Sequence, residues 1–294
     1  MRHDVLMAFS ETTAVAIGDL TFDVRIAGPD DGTPVVLLHG FPTTSLSWSP
    51  VVPALADAGL RVVAPDQRGY SPGARPAEVA AYATDRLAQD VVSLADALGL
   101  DRFHLVGHDW GAAVAWYVAA HHGHRLETLT TFSVPHLAAY NAALAHDADA
   151  RERGSYIRLF RQEGTAEDLL LADDARRLRA IYQGVVPQHL VDAYVAQLQE
   201  PGALTAALGW YRAMTPELAG LPSVDVPTTF VWSDDDLAIG RAGADACGAH
   251  VSADYRYEVL EGVTHWIPEQ APDAAAAAIL DRVRGVDPEA PRPI

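Results

Sequence analysis

The chain has 294 residues, 49% of them hydrophobic, which is enough for two average domains or one large α/β domain. Its formal net charge of −18 repels phosphate backbones, and there is no run of basic residues that would bind an anionic membrane. We therefore expect neither nucleic acid nor a membrane as a partner, and no apolar stretch is long enough to span a bilayer.

The first half of the chain alternates apolar strand patterns with helical patterns. Two alternating segments around Gly18-Asp19 predict a β-hairpin, and four later apolar runs predict strands that are buried on both faces. The predicted strands are 13–17, 20–26, 34–39, 60–64, 103–106 and 129–134. The predicted helices are 45–58, 84–98 and 112–120. Because β-α-β units repeat, we expect a parallel sheet with right-handed crossover connections.

This alternation stops after residue 136. The next 79 residues show Ala and Leu at helical spacing and no clear buried strand, which predicts a helical lid over the C-terminal edge of the sheet. Strand patterns return at 226–232 and 254–260, and 268–284 predicts a closing helix. The predicted domains are a core formed by 1–136 and 216–294, and a lid segment formed by 137–215.

A nucleophile elbow is predicted where the strand 103–106 meets the next helix. Gly107, Asp109 and Gly111 form the pattern Gly-x-Asp-x-Gly, with Asp where the commoner elbow has Ser. A carboxylate is already anionic near neutral pH, so it can attack a saturated carbon that bears a leaving group. The product is an ester on the enzyme, which water must then hydrolyse. The simpler alternative is a glycine-rich turn that carries a solvated Asp.

Further polar groups follow other predicted strands. Asp234, Asp235 and Asp236 come after the strand 226–232, and His265 comes after the last strand. Because open α/β sheets carry their chemistry beyond the carboxyl ends of the strands, we expect these groups to meet Asp109. Nucleophile, then acid, then His is the chain order of the α/β-hydrolase catalytic triad.

These motifs resemble the epoxide hydrolase branch of the α/β-hydrolase superfamily, which is related to the haloalkane dehalogenases. The resemblance covers nearly the whole chain. It implies the α/β-hydrolase fold, with a mostly parallel eight-stranded sheet, helices on both faces and a helical lid. The segments that carry it are His39 to Pro42, Asp66 to Ser71, Gly107 to Gly111, Val134 to His136, Leu208 to Arg212, Trp232 to Asp236, and His265-Trp266.

The resemblance also implies roles for individual residues. Asp109 is the nucleophile, and His265 is the general base for the water that attacks the ester. Asp236, rather than Asp234, is the acid that orients His265 and stabilises its imidazolium. The backbone N–H groups of Phe41 and Trp110 form the oxyanion hole.

The choice between epoxide and halide depends on the group that receives the leaving atom. Tyr211, in Trp210-Tyr211-Arg212, resembles the second lid tyrosine that protonates an epoxide oxygen. Leu159 stands at the place of the first lid tyrosine, but Tyr156 is one turn earlier on the same helix face. Phe41 and Trp110 stand where related dehalogenases carry Asn and Arg, which also favours the epoxide.

We expect a small, apolar epoxide as the substrate. The residues expected to line its pocket are His39, Pro42, His108, His136, Trp210 and Trp266, of which Pro42 matches a family position that is often cis. Haloalkane dehalogenase-type hydrolysis by the same triad stays open as an alternative. A ligand-binding protein with an inactive triad is a more remote alternative.

No cofactor and no metal are expected. The chain contains no lysine, which excludes Schiff-base chemistry, and no Gly-x-Gly-x-x-Gly pattern follows a strand. The single Cys247 excludes an internal disulfide, and the first six residues lack an apolar secretory segment. These features predict a cytoplasmic protein and leave the oligomeric state open, a homodimer included.

Overall fold

One eight-stranded sheet forms the centre of the computed structural model, which describes residues 8–285. The residues inspected for a secretory segment lie outside this range. The strands are β1 Glu11–Ile17, β2 Leu20–Ala27, β3 Thr33–Leu38, β4 Leu60–Pro65, β5 Phe103–His108, β6 Leu126–Phe132, β7 Thr228–Asp235 and β8 Tyr255–Thr264. Their order is β1-β2-β4-β3-β5-β6-β7-β8. The β1–β2 and β2–β4 pairs are antiparallel and the others are parallel, which confirms the predicted mostly parallel sheet.

Twelve α-helices lie within the described range. They are α1 Val52–Asp57, α2 Thr84–Ala97, α3 Trp110–His122, α4 Leu137–His146, α5 Ala148–Arg153, α6 Ile157–Phe160, α7 Thr165–Ala180, α8 Gln188–Leu198, α9 Ala203–Arg212, α10 Arg241–Ala246, α11 Ile267–Gln270 and α12 Pro272–Arg284. Helix α7 is interrupted at 172–175, where Asp173, Asp174 and Ala175 have positive φ. Between residues 8 and 285, no helix combines the length and the apolar character needed to cross a bilayer.

Two of the predicted helices are each interrupted near a proline. The predicted helix 45–58 is a 3-10 helix followed by α1, because Pro50 has no N–H to continue the hydrogen-bond ladder. The predicted helix 268–284 is divided into α11 and α12. Ala271, with φ −130°, leaves the helical conformation directly before Pro272, as expected for a residue that precedes proline.

Apolar side chains cover both faces of the sheet. Along β3, Val36 and Leu38 join the apolar cluster that also contains residues of α2 and α3. Val35 and Leu37 join the opposite cluster, which contains residues of α1 and α12. Successive side chains of a strand point to opposite faces, so a strand covered on both sides is apolar at every position. This double burial explains the continuous apolar runs in the sequence.

The predicted lid segment, residues 137–215, contains helices α4 to α9 and no strand. Buried hydrogen bonds join it to the rest of the chain. The Tyr182 hydroxyl donates to the Pro42 carbonyl at 2.7 Å, and the Trp210 indole N–H donates to the Arg68 carbonyl at 2.8 Å. The exact domain boundaries stay a prediction, but these contacts hold the segment against the strand ends that precede the elbow.

Candidate active site

The elbow brings backbone segments into such close contact that only glycine fits beside Asp109. A Cβ on Gly107 would lie 2.3 Å from the Gly111 carbonyl oxygen, and a Cβ on Gly111 would lie 2.1 Å from the Leu38 carbonyl oxygen. Asp109 itself has φ 53° and ψ −122°, a strained conformation for a residue with a side chain. The end of β3, the end of β5 and the start of α3 therefore meet at Asp109.

The Asp109 carboxylate is held at both oxygens. Oδ1 accepts a hydrogen bond from the Phe41 backbone N–H at 2.7 Å, and Oδ2 lies 3.4 Å from His265 Nε2. A Cβ on Gly40 would lie only 2.2 Å from Oδ1, so the glycine at this position makes room for the carboxylate. Asp109 is 6% exposed.

Asp236 holds the other side of the His265 ring. His265 Nδ1–H donates to Asp236 Oδ2 at 2.8 Å, which leaves Nε2 facing Asp109. Asp236 Oδ1 accepts from the backbone N–H groups of Ala238 at 2.7 Å and Ile239 at 3.0 Å. Asp234 and Asp235 are exposed, so the structure brings Asp236 alone of the three to His265.

The charges of these three side chains depend on one another. Burial acts to raise the pKa of Asp236, but His265 and the two backbone N–H groups outweigh it and hold the pKa below its usual range. Burial acts to lower the pKa of His265, but Asp236 and Asp109 outweigh it and raise the pKa to about 10. At neutral pH the resting site therefore holds an imidazolium between two carboxylates.

Two tyrosines of the lid segment lie above Asp109. The rings of Tyr156 and Tyr211 are in edge-to-face contact, with centroids 6.1 Å apart. The Trp110 ring is also in edge-to-face contact with Tyr211, with centroids 5.2 Å apart. Burial raises the pKa of both tyrosines well above the usual value. Both hydroxyls therefore keep their protons over the normal working range of an enzyme.

Two cavities meet at Asp109, Tyr156 and Tyr211, and all three residues line both cavities. We call these cavities the first and second arms of the site. The first arm has an empty volume of about 480 Å³, and its walls include Ala113, Val134, Leu137, Asn141, Leu218 and Ile239. The second arm has an empty volume of about 650 Å³, and its walls include Phe41, Phe160, Ala180, Leu237, His265 and Trp266. Leu159 lines neither arm, whereas Tyr156 lines both. The site is thus a mostly apolar space with the carboxylate at the junction of its arms.

Of the six residues expected to line the pocket, only Trp266 lies in the walls of these arms. The other five line neither arm: the side chains of four are hydrogen-bonded to backbone groups elsewhere, and the Pro42 carbonyl accepts from the Tyr182 hydroxyl of the lid segment. These five are His39, Pro42, His108, His136 and Trp210. The Phe41–Pro42 peptide bond is cis.

The three buried histidines of this group support backbone segments of the site. His39 Nε2 accepts from the Gln67 backbone N–H at 3.1 Å, and His108 Nε2–H donates to the His265 carbonyl at 2.8 Å. His136 Nε2–H donates to the Pro222 carbonyl at 3.1 Å. Burial lowers the pKa of His39, and it lowers the pKa of both His108 and His136 to about 4. Because these three imidazoles are neutral and hold backbone groups in place, we assign them a structural role.

Helix α4 supplies pocket residues that the sequence reasoning missed. Leu137, Tyr140 and Asn141 all line the first arm. Their spacing of three and four residues places them on one face of a helix, directly after the motif that ends at His136. That periodicity was the available signal, but it does not show which face of a helix points to a cavity.

Three histidines lie close together in the sequence at the end of α3. His121, His122 and His124 lie near the surface there. Across residues 8–285, no group of three or more His, Cys, Asp or Glu side chains is arranged to hold a metal ion.

Comparisons with known proteins agree with this fold. Residues 33–272 match the family described as alpha/beta hydrolase fold. The chain is 33% identical to epoxide hydrolase A of Mycobacterium tuberculosis, over 88% of this chain and 92% of that protein. It is 34% identical to the AB hydrolase superfamily protein YfhM of Bacillus subtilis, over 90% and 95%.

A solved structure shows the same likeness in three dimensions. Epoxide hydrolase A of Mycobacterium thermoresistibile superposes with a TM-score of 0.82 at 28% identity, covering 94% of this chain and 98% of that one. The chain therefore belongs to the α/β-hydrolase family, in its epoxide hydrolase-like branch, and it is an enzyme of the hydrolase class.

The room that Gly40 leaves for Asp109 generates a prediction. In Gly40→Ala the new Cβ must displace Oδ1 by about 1 Å, and such a misplacement of a reacting group costs about 10²-fold in rate. We expect kcat/KM to fall by about that factor, and the melting temperature to fall as well, because the new Cβ would also lie 2.5 Å from Asp109 Cβ. Gly220→Ala is the matched control, because its Cβ meets no atom within 4 Å. Parental activity in Gly40→Ala would contradict the role of this carboxylate position.

Proposed function

We propose that this enzyme opens an epoxide to a vicinal diol through a covalent ester at Asp109. The observation that carries the proposal is the junction of the two arms. There a buried carboxylate faces two neutral tyrosine hydroxyls, with an oriented histidine behind it. A nucleophile on one side and proton donors on the other are what ring opening requires. The likeness to proteins named epoxide hydrolases supports the same activity.

In the first half-reaction, Asp109 Oδ2 attacks a ring carbon while the Phe41 N–H holds Oδ1. The epoxide oxygen leaves as an alkoxide and takes a proton from Tyr211. The Trp110 side chain, which contacts the Tyr211 ring and favours the ionised form of Tyr211, stabilises the resulting tyrosinate. The His265 imidazolium then returns a proton to this tyrosinate, so that the histidine is left neutral.

In the second half-reaction, neutral His265 takes a proton from water, and the hydroxide attacks the carbonyl carbon of the ester. Ester formation has removed the negative charge of Asp109, one of the two anions that raise the pKa of His265, so the neutral base is now easier to form. The backbone N–H groups of Phe41 and Trp110 stabilise the oxyanion. Collapse of the tetrahedral intermediate releases the diol as an alkoxide, which takes a proton from the His265 imidazolium. The Asp109 carboxylic acid then transfers its proton to His265, and this restores the resting ion pair of Asp109 and His265.

The two arms indicate which epoxides fit. A ring held between Asp109 and the tyrosines has one carbon facing each arm, and both arms have mainly apolar walls. Burying an apolar substituent in each arm adds roughly 1.5–3 kcal/mol for a group the size of a large side chain. We therefore expect internal epoxides, with one apolar substituent on each carbon, as the preferred substrates.

Halide release is less well served by this geometry. A departing halide needs N–H donors that point into the cavity. The side chain of Trp110, which lies next to the nucleophile, instead packs edge to face against Tyr211. The arrangement therefore favours a leaving oxygen, which needs the proton that a tyrosine carries.

The separation of nucleophile and base predicts that His265→Gln traps the ester. Alkylation needs Asp109, whereas hydrolysis needs a base, so incubation with an epoxide should raise the intact mass by one substrate mass, located on the Asp109 peptide. The double variant Asp109→Ala/His265→Gln is the control and should stay unmodified. A folded but unmodified His265→Gln would refute the covalent route, and an adduct formed only with haloalkanes would assign the dehalogenase reaction.

Loss of the Tyr211 hydroxyl should slow ring opening. We expect Tyr211→Phe to lower the single-turnover alkylation rate by about 10²–10⁴-fold, the usual contribution of general acid catalysis. Tyr156→Phe removes the neighbouring hydroxyl and should cost less, and the double variant should cost more than either. Tyr257→Phe, whose hydroxyl binds Asp245 away from the site, is the control. An unchanged alkylation rate in Tyr211→Phe would rule out this role.

Filling one arm should distinguish internal from terminal epoxides. Leu218→Trp in the first arm and Ala180→Trp in the second should each lower kcat/KM for trans-stilbene oxide by roughly tenfold or more. Styrene oxide needs one arm only, so each variant should keep most of its activity on it. Equal losses on both substrates, or no loss on either, would contradict a two-armed substrate site.

A further inference from the structure

Glu269 is a buried carboxyl group that the proposed reaction does not use. It lies in α11, whose first turn is attached to the catalytic histidine, because the Ile267 N–H donates to the His265 carbonyl at 2.9 Å. Glu269 is 6% exposed, although no cation forms an ion pair with it in the part of the chain that the structure describes.

The two oxygens of this carboxyl group have different surroundings. Oε1 accepts a hydrogen bond from the Tyr194 hydroxyl of α8 at 3.2 Å. Oε2 is fully buried and has no hydrogen-bond partner among residues 8–285. Since a buried polar atom without a partner costs free energy, a carboxyl group in this place calls for an explanation.

Anchoring α11 does not supply that explanation. The neighbouring Gln270 already does so, because its Oε1 accepts from both the backbone N–H and the hydroxyl of Thr264, at 2.8 and 2.7 Å. Gln270 is uncharged at every pH. Glu269 differs from it in being ionisable, which points to a role for its charge.

Few titratable groups face Glu269. Tyr194 and Tyr182 face it from the lid segment, and His265 faces it from its own segment. The 3-10 helix Ser45–Trp48 packs against α11 and has no ionisable side chain. Strand β8 and helix α12 also pack against α11, but within the described range none of their charged side chains acts on Glu269. His265 is thus the charged group to which its ionisation is coupled.

Burial is the largest influence on this carboxyl group. It raises the pKa of Glu269 to about 7, against the opposing effects of the Tyr194 hydroxyl, its own backbone N–H and the charge of His265. Glu269 therefore changes its charge in the pH range in which most enzymes work.

We propose that Glu269 is a positioning residue that acts through His265, its ionised carboxylate stabilising the imidazolium and so opposing formation of the neutral base. The inference rests on the proposed function, in which His265 must be neutral to activate water. As the pH rises, Glu269 ionises and increases the proton affinity of His265. Ester hydrolysis should then rise with pH over a wider range than a single ionisation would give.

Glu269→Gln tests the proposal and keeps an acceptor for Tyr194. The two half-reactions should be measured separately, by single-turnover kinetics with trans-stilbene oxide between pH 5 and 9. We expect the acid limb of ester hydrolysis to move to lower pH by about 0.5–1 unit and to follow a single ionisation. The alkylation rate at pH 7 should stay within about twofold of the parent. A purely structural role would slow both steps without moving the limb.

Tyr194→Phe provides a second, uncharged perturbation. It removes a hydrogen bond that favours the ionised form of Glu269, so it should move the acid limb in the same direction but by less. In Glu269→Gln/Tyr194→Phe, the second change should add no further shift. An acid limb that coincides with the parent's in Glu269→Gln would overturn the proposal.

A measurement without substrate separates this proposal from the proposed function. The pKa of His265 in the resting enzyme can be followed by NMR of ¹⁵N-labelled histidine, and it should fall in Glu269→Gln. An unchanged pKa would refute the coupling, whatever the enzyme hydrolyses. A parent enzyme that shows this shift on substitution, yet turns over no epoxide, would refute the proposed function and leave the coupling in place.

Discussion

The contact between the elbow and the end of β3 is the constraint on which the site depends. Gly107 and Gly111 allow the backbones of β5 and α3 to approach each other and the Leu38 carbonyl at distances that no side chain permits. The same approach brings the Phe41 N–H to 2.7 Å from Asp109 Oδ1. A strained Asp109 is tolerated because packing on three sides leaves it no alternative. The proposed nucleophile, Asp109, is therefore oriented by the sheet rather than by a flexible loop.

Charge then links the two halves of the proposed reaction. Two carboxylates raise the pKa of His265, so the resting site holds an imidazolium, which is a proton source but not a base. Formation of the ester removes one of these charges, and the histidine becomes a base at the stage where one is needed. In the proposed coupling, the charge of Glu269 in α11 affects the same proton affinity of His265. Most of the control thus comes from the ionisation states of fixed groups, without a movement of the backbone.

The lid segment supplies what the sheet lacks. The strand ends provide the proposed nucleophile, acid and base, but the tyrosine hydroxyls come from the segment between β6 and β7. Hydrogen bonds such as that from Tyr182 to the Pro42 carbonyl hold this segment close to Phe41 and Pro42. Because residues of the strand ends and of the lid segment together line both cavities, the shape of the proposed substrate space depends on how these helices pack.

The sequence by itself determined the sheet and the side chains at its edge. Apolar runs of four to six residues identify strands that are covered on both faces, and a side chain that directly follows a strand has little freedom in where it lies. Asp109 and His265 could therefore be placed at the sheet edge from the strand pattern, whereas the choice of Asp236 over Asp234 came from the family resemblance. The pocket lining, in contrast, was decided by tertiary structure. A helical or loop side chain such as Tyr156, His136 or Glu269 faces a cavity or the interior according to the rotation of its segment. That rotation is set by packing and hydrogen bonds between residues far apart in the chain.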